Sequence, residues 1–413
     1  MNEHFLRHES GRLVVRLTRF LGTHHLPLIE DVVQDTLLKA WEVWRFRGIP
    51  SNPSAWLLQV ARNKALDALR RLKREQPLSS EHLERHATEE CERDVSEYNE
   101  QQLLLADDVL RMMFVCCHPS LPQESQIALI LKYLCGFSVQ EIARAFLTTE
   151  TNIEKRLYRA RQIFRKQHIP FEVPIQHALL ERFSQVLLAI YLLFNEGYKS
   201  NQPNEVIRQE LMHEALRLGV LLAEQHQTRQ PEVFALLALM CFQAARTHAR
   251  LTETGALCLL PDQDRRLWNS PLIEIGKTYL NKAATGSHLS RYHLEAGISW
   301  EHTRASTYKE TNWYKILQYY DALEAIAPSP TASLNRLIAL SEVEGPHAAL
   351  EAFNHLPRQD ALSTHHLYFS IRAYLFSEAG ERKNALLAWE QALKKAPSEA
   401  ERLLIQHKIN SLI

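Results

Sequence analysis

The stretch that most constrains this chain runs from Ser138 to Lys166, SVQEIARAFLTTETNIEKRLYRARQIFRK. Ser138 with Glu141 three residues on is a capping-box pattern that starts a helix. Ile142 and Phe146 line one face at i, i+4, and Ala143 and Ala145 leave room for a close helix crossing. Leu147-Thr148-Thr149 supplies a turn, with Thr149 the N-cap of the second helix. In that helix Ile153, Leu157, Ala160 and Phe164 recur at spacings of four, three and four, which makes them the buried stripe. Lys155, Arg156, Arg159, Arg161, Arg165 and Lys166 are left outside, opposed only by Glu150 and Glu154. A helix-turn-helix sets the start of its second helix against base edges and its cationic flank against phosphates. A plain helical hairpin with a solvated basic face fits the same residues, so the rest of the chain decides.

A chain of 413 residues implies two to four domains at roughly 100–200 residues each. Only twelve glycines and long helix-period stretches predict an all-α protein. No hydrophobic run approaches the ~20 residues of a membrane span, and the N-terminus lacks a basic-then-apolar signal pattern. The expectation is a cytoplasmic protein with no membrane partner. Cysteines at 91, 116, 117, 135, 241 and 258 form no CxxC pair. Cys116-Cys117-His118 lacks a second ligand pair at finger spacing, so these cysteines are expected in a core and no metal is predicted.

The formal net charge is zero, but its distribution is uneven. Residues 1–75 carry 13 Lys and Arg against 8 Asp and Glu; residues 76–108 carry 2 against 10; residues 125–170 carry 8 against 3. Two basic blocks flank one acidic connector.

An amphipathic helix is predicted over 3–22, ending near Gly22. IEDVVQDTLLKAWEVWRF, residues 29–46, comes next, with Val33, Leu37, Ala40, Trp41 and Trp44 on its apolar stripe and Asp31, Gln34, Asp35 and Lys39 on another face. Pro50 and Pro53 enforce a loop. Ser54 then starts SAWLLQVARNKALDALRRLKRE, with Leu57, Ala61, Ala65, Leu69 and Leu72 inward and Arg62, Asn63, Lys64, Arg70, Arg71 and Arg74 outward; Asp67 is a partner for Arg70 or Arg71.

EDVVQDTLLKAW, a loop and AWLLQVARNKALDALRR resemble region 2 of the sigma-70 family, in its extracytoplasmic-function (ECF) group. In that group an acidic or polar linker and a helix-turn-helix called region 4 come after it, and IEKRLYRARQIFRK is similar to its recognition helix. The resemblance implies region 2 over 1–75, a linker over 76–104 and region 4 over 105–170. It implies promoter recognition with the RNA polymerase core, through the β′ clamp and β flap. Asp31, Gln34, Asp35 and Lys39 would face the clamp. The loop 45–54 with Trp56, Arg62, Asn63, Lys64, Arg70 and Arg71 would hold the opened −10 strand, since single strands need cations and stacking platforms. Thr151, Asn152, Lys155, Arg156, Arg159, Arg165 and Lys166 would read the −35 duplex, Lys155 and Arg156 governing recognition and Arg165 and Lys166 adding phosphate affinity. The acidic linker reads as solvated chain, or as a nucleic-acid mimic in a basic channel.

Residues 171–413 exceed a minimal sigma factor. Helices are predicted at 178–196, 205–226, 231–248, 265–283, 288–304, 311–326, 331–343, 346–356, 363–379 and 382–396, with a last one near 399–412. Ile316, Ala349 and Ala385 are each followed four residues later by Tyr320, Phe353 and Trp389, and seven later by Leu323, Leu356 and Ala392. Their intervals of 33 and 36 residues bracket the tetratricopeptide (TPR) period of about 34. Such helix pairs stack into a solenoid whose concave face would take a regulatory protein or peptide. FNEGY (194–198), DQDRRLW (262–268) and LNRLIAL (334–340) look like a sigma subgroup whose extension adjusts activity from within the chain. With two prolines between 167 and 174, the extension is expected to pack on region 4.

There is no P-loop, no GxGxxG after a strand and no HExxH; neither a catalytic constellation nor a cofactor is predicted. Asp262 and Asp264 beside Arg265 and Arg266 read as a helix start. Two rival readings remain at this level: a TPR-type adaptor without promoter specificity, and an enzyme housed in 171–413.

Overall fold

A computed structural model describes residues 3–75, 108–145, 148–174, 177–199, 207–252, 256–286, 288–356, 363, 366–396 and 398–412. The acidic connector 76–104, Leu147 and Phe146 lie outside them. The described residues are helical apart from turns and one isolated antiparallel bridge between Leu251 and Leu257. The chain divides into two compact units, Met1–Leu193 and Phe194–Ile413.

In the first unit α1 (Glu3–Leu21), α2 (Leu26–Arg47) and α3 (Pro53–Glu75) pack on one another around Leu13, Leu17, Ile29, Val33, Ala40, Trp44, Leu57, Ala61 and Ala65. Gly48 ends α2 at φ 79, its N–H donating to the Trp44 carbonyl at 3.1 Å, a positive-φ cap that glycine adopts without a Cβ penalty. The next helix starts at Pro53, one residue before the expected Ser54, as proline suits a first helical turn. Trp41 corrects another expectation. It is 55% exposed while Trp44 is 6% exposed. Trp44 lies one turn beyond Ala40 on the stripe; Trp41 comes directly after Ala40 and is turned about 100° off it. Leu69 is half-buried.

Helical residues 108–116 (α4) then lead to α5 (Gln123–Tyr133), α6 (Val139–Ala145) and α7 (Glu150–Gln167). Met112, Phe114, Cys116, Cys117, Ile130, Phe137, Ile142, Ile153, Leu157, Ala160 and Phe164 are buried together. The two adjacent thiols are pushed up by burial, which fits core residues.

The two halves of this unit meet directly. A Cβ at Gly11 of α1 would lie 2.7 Å from the Leu134 carbonyl oxygen, so only glycine permits that approach. Thr23 donates its hydroxyl to the Ile169 carbonyl at 2.5 Å, and Asp108, 2% exposed, takes Arg111 at 2.7 Å and Arg19 at 3.3 Å. Helix α8 (His177–Tyr198) begins in this unit, where the Arg182 guanidinium donates to the Phe114 carbonyl at 3.3 Å.

In the second unit α10 (Pro231–Ala245) is apolar on nearly every side and packs against α9 (Gln209–Glu224), α11 (Ser270–Ala283) and α12 (Arg291–Arg304), as a helix without a polar face must. From there α13 (Trp313–Ile326), α14 (Pro330–Glu344), α15 (Pro346–Asn354), α16 (His366–Glu378), α17 (Arg382–Lys395) and α18 (Glu399–Asn410) each pack on the helix before. Caps explain several starts: Asn269, Asn312, Ser329 and Ser398 each accept an N–H of the first turn. Glu401 is buried between Lys199 at 2.9 Å and His366 at 3.2 Å. Burial alone would raise its pKa, but the His366 hydrogen bond and the Lys199 charge prevail and bring it to about 2.

Candidate promoter and polymerase interface

The helix-turn-helix builds as its caps dictate. The Ser138 N–H donates to the Glu141 carboxylate at 2.8 Å and the Glu141 N–H to the Ser138 hydroxyl at 3.1 Å, a reciprocal box. Thr149 accepts from the Asn152 N–H at 3.3 Å and starts α7, and the Asn152 amide donates to the Thr148 hydroxyl at 3.1 Å. With Ile153, Leu157, Ala160 and Phe164 fully buried, helical geometry leaves Thr151, Asn152, Lys155, Arg159, Arg165 and Lys166 exposed.

Two arginines of this helix are not free cations. Arg156 pairs with Glu124 of α5 at 2.5 Å, its side chain 23% exposed. Arg161, expected outside, is part-buried; it meets Glu30 of α2 at 3.0 Å and lies 3.4 Å from the Tyr133 hydroxyl. Burial raises the Glu30 pKa, which the Arg161 charge opposes. No spacing rule could have shown this, because the partner lies 131 residues away.

On α2, Asp31, Gln34, Asp35 and Lys39 share one exposed face, with Lys39 near Glu42 at 3.6 Å. Asp35 also reaches Lys64 of α3 at 3.4 Å, which brings a polymerase-facing candidate beside a −10 candidate. Among the other −10 candidates, Asn63, Arg70 and Arg71 are exposed, Arg70 pairing with Asp67 at 3.4 Å. Trp56 and Arg62 are half-buried; the Trp56 ring lies 5.4 Å from that of Trp44. Burial lowers the Arg62 pKa.

Sequence reasoning missed the exposed apolar residues of this interface. Leu38 is 63% exposed on the Asp35 face, Phe46 84% and Ile49 59% exposed around the Gly48 cap, and Tyr158 59% exposed between Lys155 and Arg159. Phe46 and Ile49 lie close together around one glycine, and adjoining exposed apolar residues mark contact surfaces. The signal was present: Leu38, Phe46 and Tyr158 fall off the buried stripes of their helices, and Ile49 follows the Gly48 cap, yet all four are too apolar for a solvated surface.

Residues 6–75 match Sigma-70 region 2 and residues 111–163 match Sigma-70, region 4. Residues 182–284 match a family of unknown function, DUF6596. An uncharacterized protein of Rhizobium meliloti is 37% identical over 397 residues, covering 94% of this chain and 90% of that protein. The ECF RNA polymerase sigma-E factor of Haemophilus influenzae is 28% identical over 158 residues, covering 37% of this chain and 80% of that factor. No solved structure matches. Regions 2 and 4 in this order define the class as a sigma-70 factor, a transcription initiation factor and not an enzyme. The chain belongs to the same family as the Rhizobium protein, as an ECF-type sigma-70 factor with a C-terminal domain of unknown nature. No helix among the described residues is long and apolar enough to cross a membrane.

Proposed function

We propose that this sigma factor acts in the cytoplasm, directing core polymerase to specific promoters, with region 2 holding the opened −10 strand and region 4 reading the −35 duplex. The observation that carries this is α7: a Thr149-capped helix with a fully buried stripe and an exposed row of Thr151, Asn152, Lys155 and Arg159 at its start and Arg165 and Lys166 at its end. The first group would meet base edges in the major groove and the second phosphates. Arg156 joins the first group only on leaving Glu124. Asp31, Gln34, Asp35 and Lys39, with Leu38 among them, would dock on the β′ clamp, while region 4 takes the β flap. Trp56, Arg62, Asn63, Lys64, Arg70 and Arg71 would flank the opened strand.

We also infer that the C-terminal helices form a TPR-like array that modulates activity in cis, its surface taking a regulatory protein or peptide. The support is that Ile316, Ala349 and Ala385 are fully buried, and that Phe353 and Trp389, four residues after the last two, are buried as well. Run-off transcription with purified core polymerase over a panel of −35 variants tests the promoter reading. Lys155→Ala is expected to change the order of preference in the panel; an unchanged order at unchanged strength would sink the assignment of α7.

A further inference from the structure

The second unit holds a group of buried polar atoms for which promoter reading has no use. Arg246, the residue after α10, is 9% exposed, yet its Nε has no hydrogen-bond partner; its guanidinium faces the Trp268 ring at 6.0 Å. Arg265 lies against the same indole at 4.6 Å. Its Nη1 donates to the carbonyls of His302 at 2.8 Å and Ala305 at 2.6 Å, while its Nη2 is buried without a partner. The His302 ring continues the patch onto Trp313 at 5.1 Å. Also buried without partners are the indole nitrogens of Trp268 and Trp313, Nδ1 of His302 and the hydroxyl of Thr311, whose carbonyl accepts the backbone N–H of Trp313 at 2.9 Å.

Buried polar atoms in folded proteins are as a rule paired, so several orphans along one continuous patch call for a partner. Their chemistry is one-sided. Guanidinium and indole only donate, and no carboxylate among the described residues pairs with Arg246 or Arg265. Burial, with the Arg246 and Arg265 charges, brings the His302 pKa down to about 3, the direction two nearby cations produce, although Arg265 also feels the Glu310 charge. Two guanidiniums beside flat aromatic faces suit a ligand with oxyanion oxygens and a planar or apolar body.

We propose that Arg246, Arg265, Trp268, His302, Thr311 and Trp313 form a binding site for a small oxyanion-bearing molecule, a carboxylate or a phosphate ester, in the C-terminal domain. The two guanidiniums take the oxyanion, and the indole N–H groups and the Thr311 hydroxyl fix its orientation. The site stands apart from the promoter reading and survives its failure.

The test is thermal unfolding of the full chain titrated with inorganic phosphate and, separately, benzoate, at ionic strength matched with sodium chloride. At least one oxyanion is expected to raise the melting temperature saturably and to change tryptophan fluorescence. The half-saturating concentration is expected to rise at least about tenfold in Arg246→Gln, a charge-assisted contact being lost. Thr311→Val, which keeps side-chain shape, is expected to rise severalfold and serves if Arg246→Gln does not fold. A linear rise without saturation is the Hofmeister effect of any excluded salt and counts against the site. Equal titration curves for wild type and both variants, or no saturable response to either anion, overturn the proposal.

Discussion

In the first unit Lys155, Arg159, Arg165 and Lys166 stand in water along one helix, whereas in the second Arg208 and Arg246 are buried within the fold. A cation left in water carries no burial penalty in the folded protein and serves a polyanion that releases its own counterions on binding. A guanidinium taken out of water costs several kcal/mol unless paired, so it persists only where structure or a ligand compensates it. Arg208 has such compensation, its Nε lying 3.2 Å from Glu210. The contrast separates charge placed for recognition from charge built into architecture, and substitution can distinguish the two.

The largest effect is expected inside the second unit. Arg208→Ala removes a buried guanidinium, its packed stem and its bond to the half-buried Glu210 carboxylate, and should destabilise that unit by about 3 kcal/mol, seen as an earlier calorimetric transition. A loss as small as that of an exposed cation would break the comparison. Next comes Asp35→Lys on the exposed face of α2. Affinity for a β′ clamp fragment should fall about 100-fold, roughly 2.7 kcal/mol, with the melting temperature nearly unchanged; unaltered affinity removes the polymerase role of that face. The third concerns acid. His302 is held neutral with a pKa of about 3, against 6.5 when unfolded, so the unfolded chain binds more protons between those values. Stability should therefore fall on acidification below pH 6.5, by about 2 kcal/mol at pH 5, and His302→Gln should flatten that slope. The smallest effect belongs to a phosphate contact. Arg165→Ala should weaken all promoter sequences alike, a fewfold, and reduce the salt slope by about one, as filter binding at several salt concentrations would show. Sequence-selective weakening would move Arg165 into the base-reading group.

Much of this architecture was legible because it is local. The Ser138–Glu141 box, the Thr149 cap and the stripe of α7 depend on residues within a few turns, and the helices expected between 178 and 396 appear with ends shifted by a few residues. Where tertiary contacts decide, the sequence was silent. Arg156 and Arg161 look alike on a helical projection, yet each is tied to an acid on another helix. Trp41 and Trp44 sit in one motif, and only the phase of the helix against its neighbours separates an exposed indole from a buried one. The oxyanion patch gathers residues from 246 to 313, none of which forms a motif by itself; DQDRRLW pointed to its middle while reading as a helix start. There Asp264 does cap a short turn and binds Arg266, which leaves Arg265 to face inward.

The contact at Gly11 offers a mechanical handle. A single added carbon there would strike the Leu134 carbonyl, part of the main chain and unable to swing aside as a side chain would. Gly11→Ala therefore acts as a wedge driven between the helices of region 2 and region 4, at a buried position that is none of the residues assigned to DNA or polymerase. In a bacterium carrying a promoter fused to a reporter, it would separate two roles for that seam. Raised basal expression would mean the seam is a brake released by spreading the regions, and lowered expression would mean it is the hinge on which promoter engagement turns.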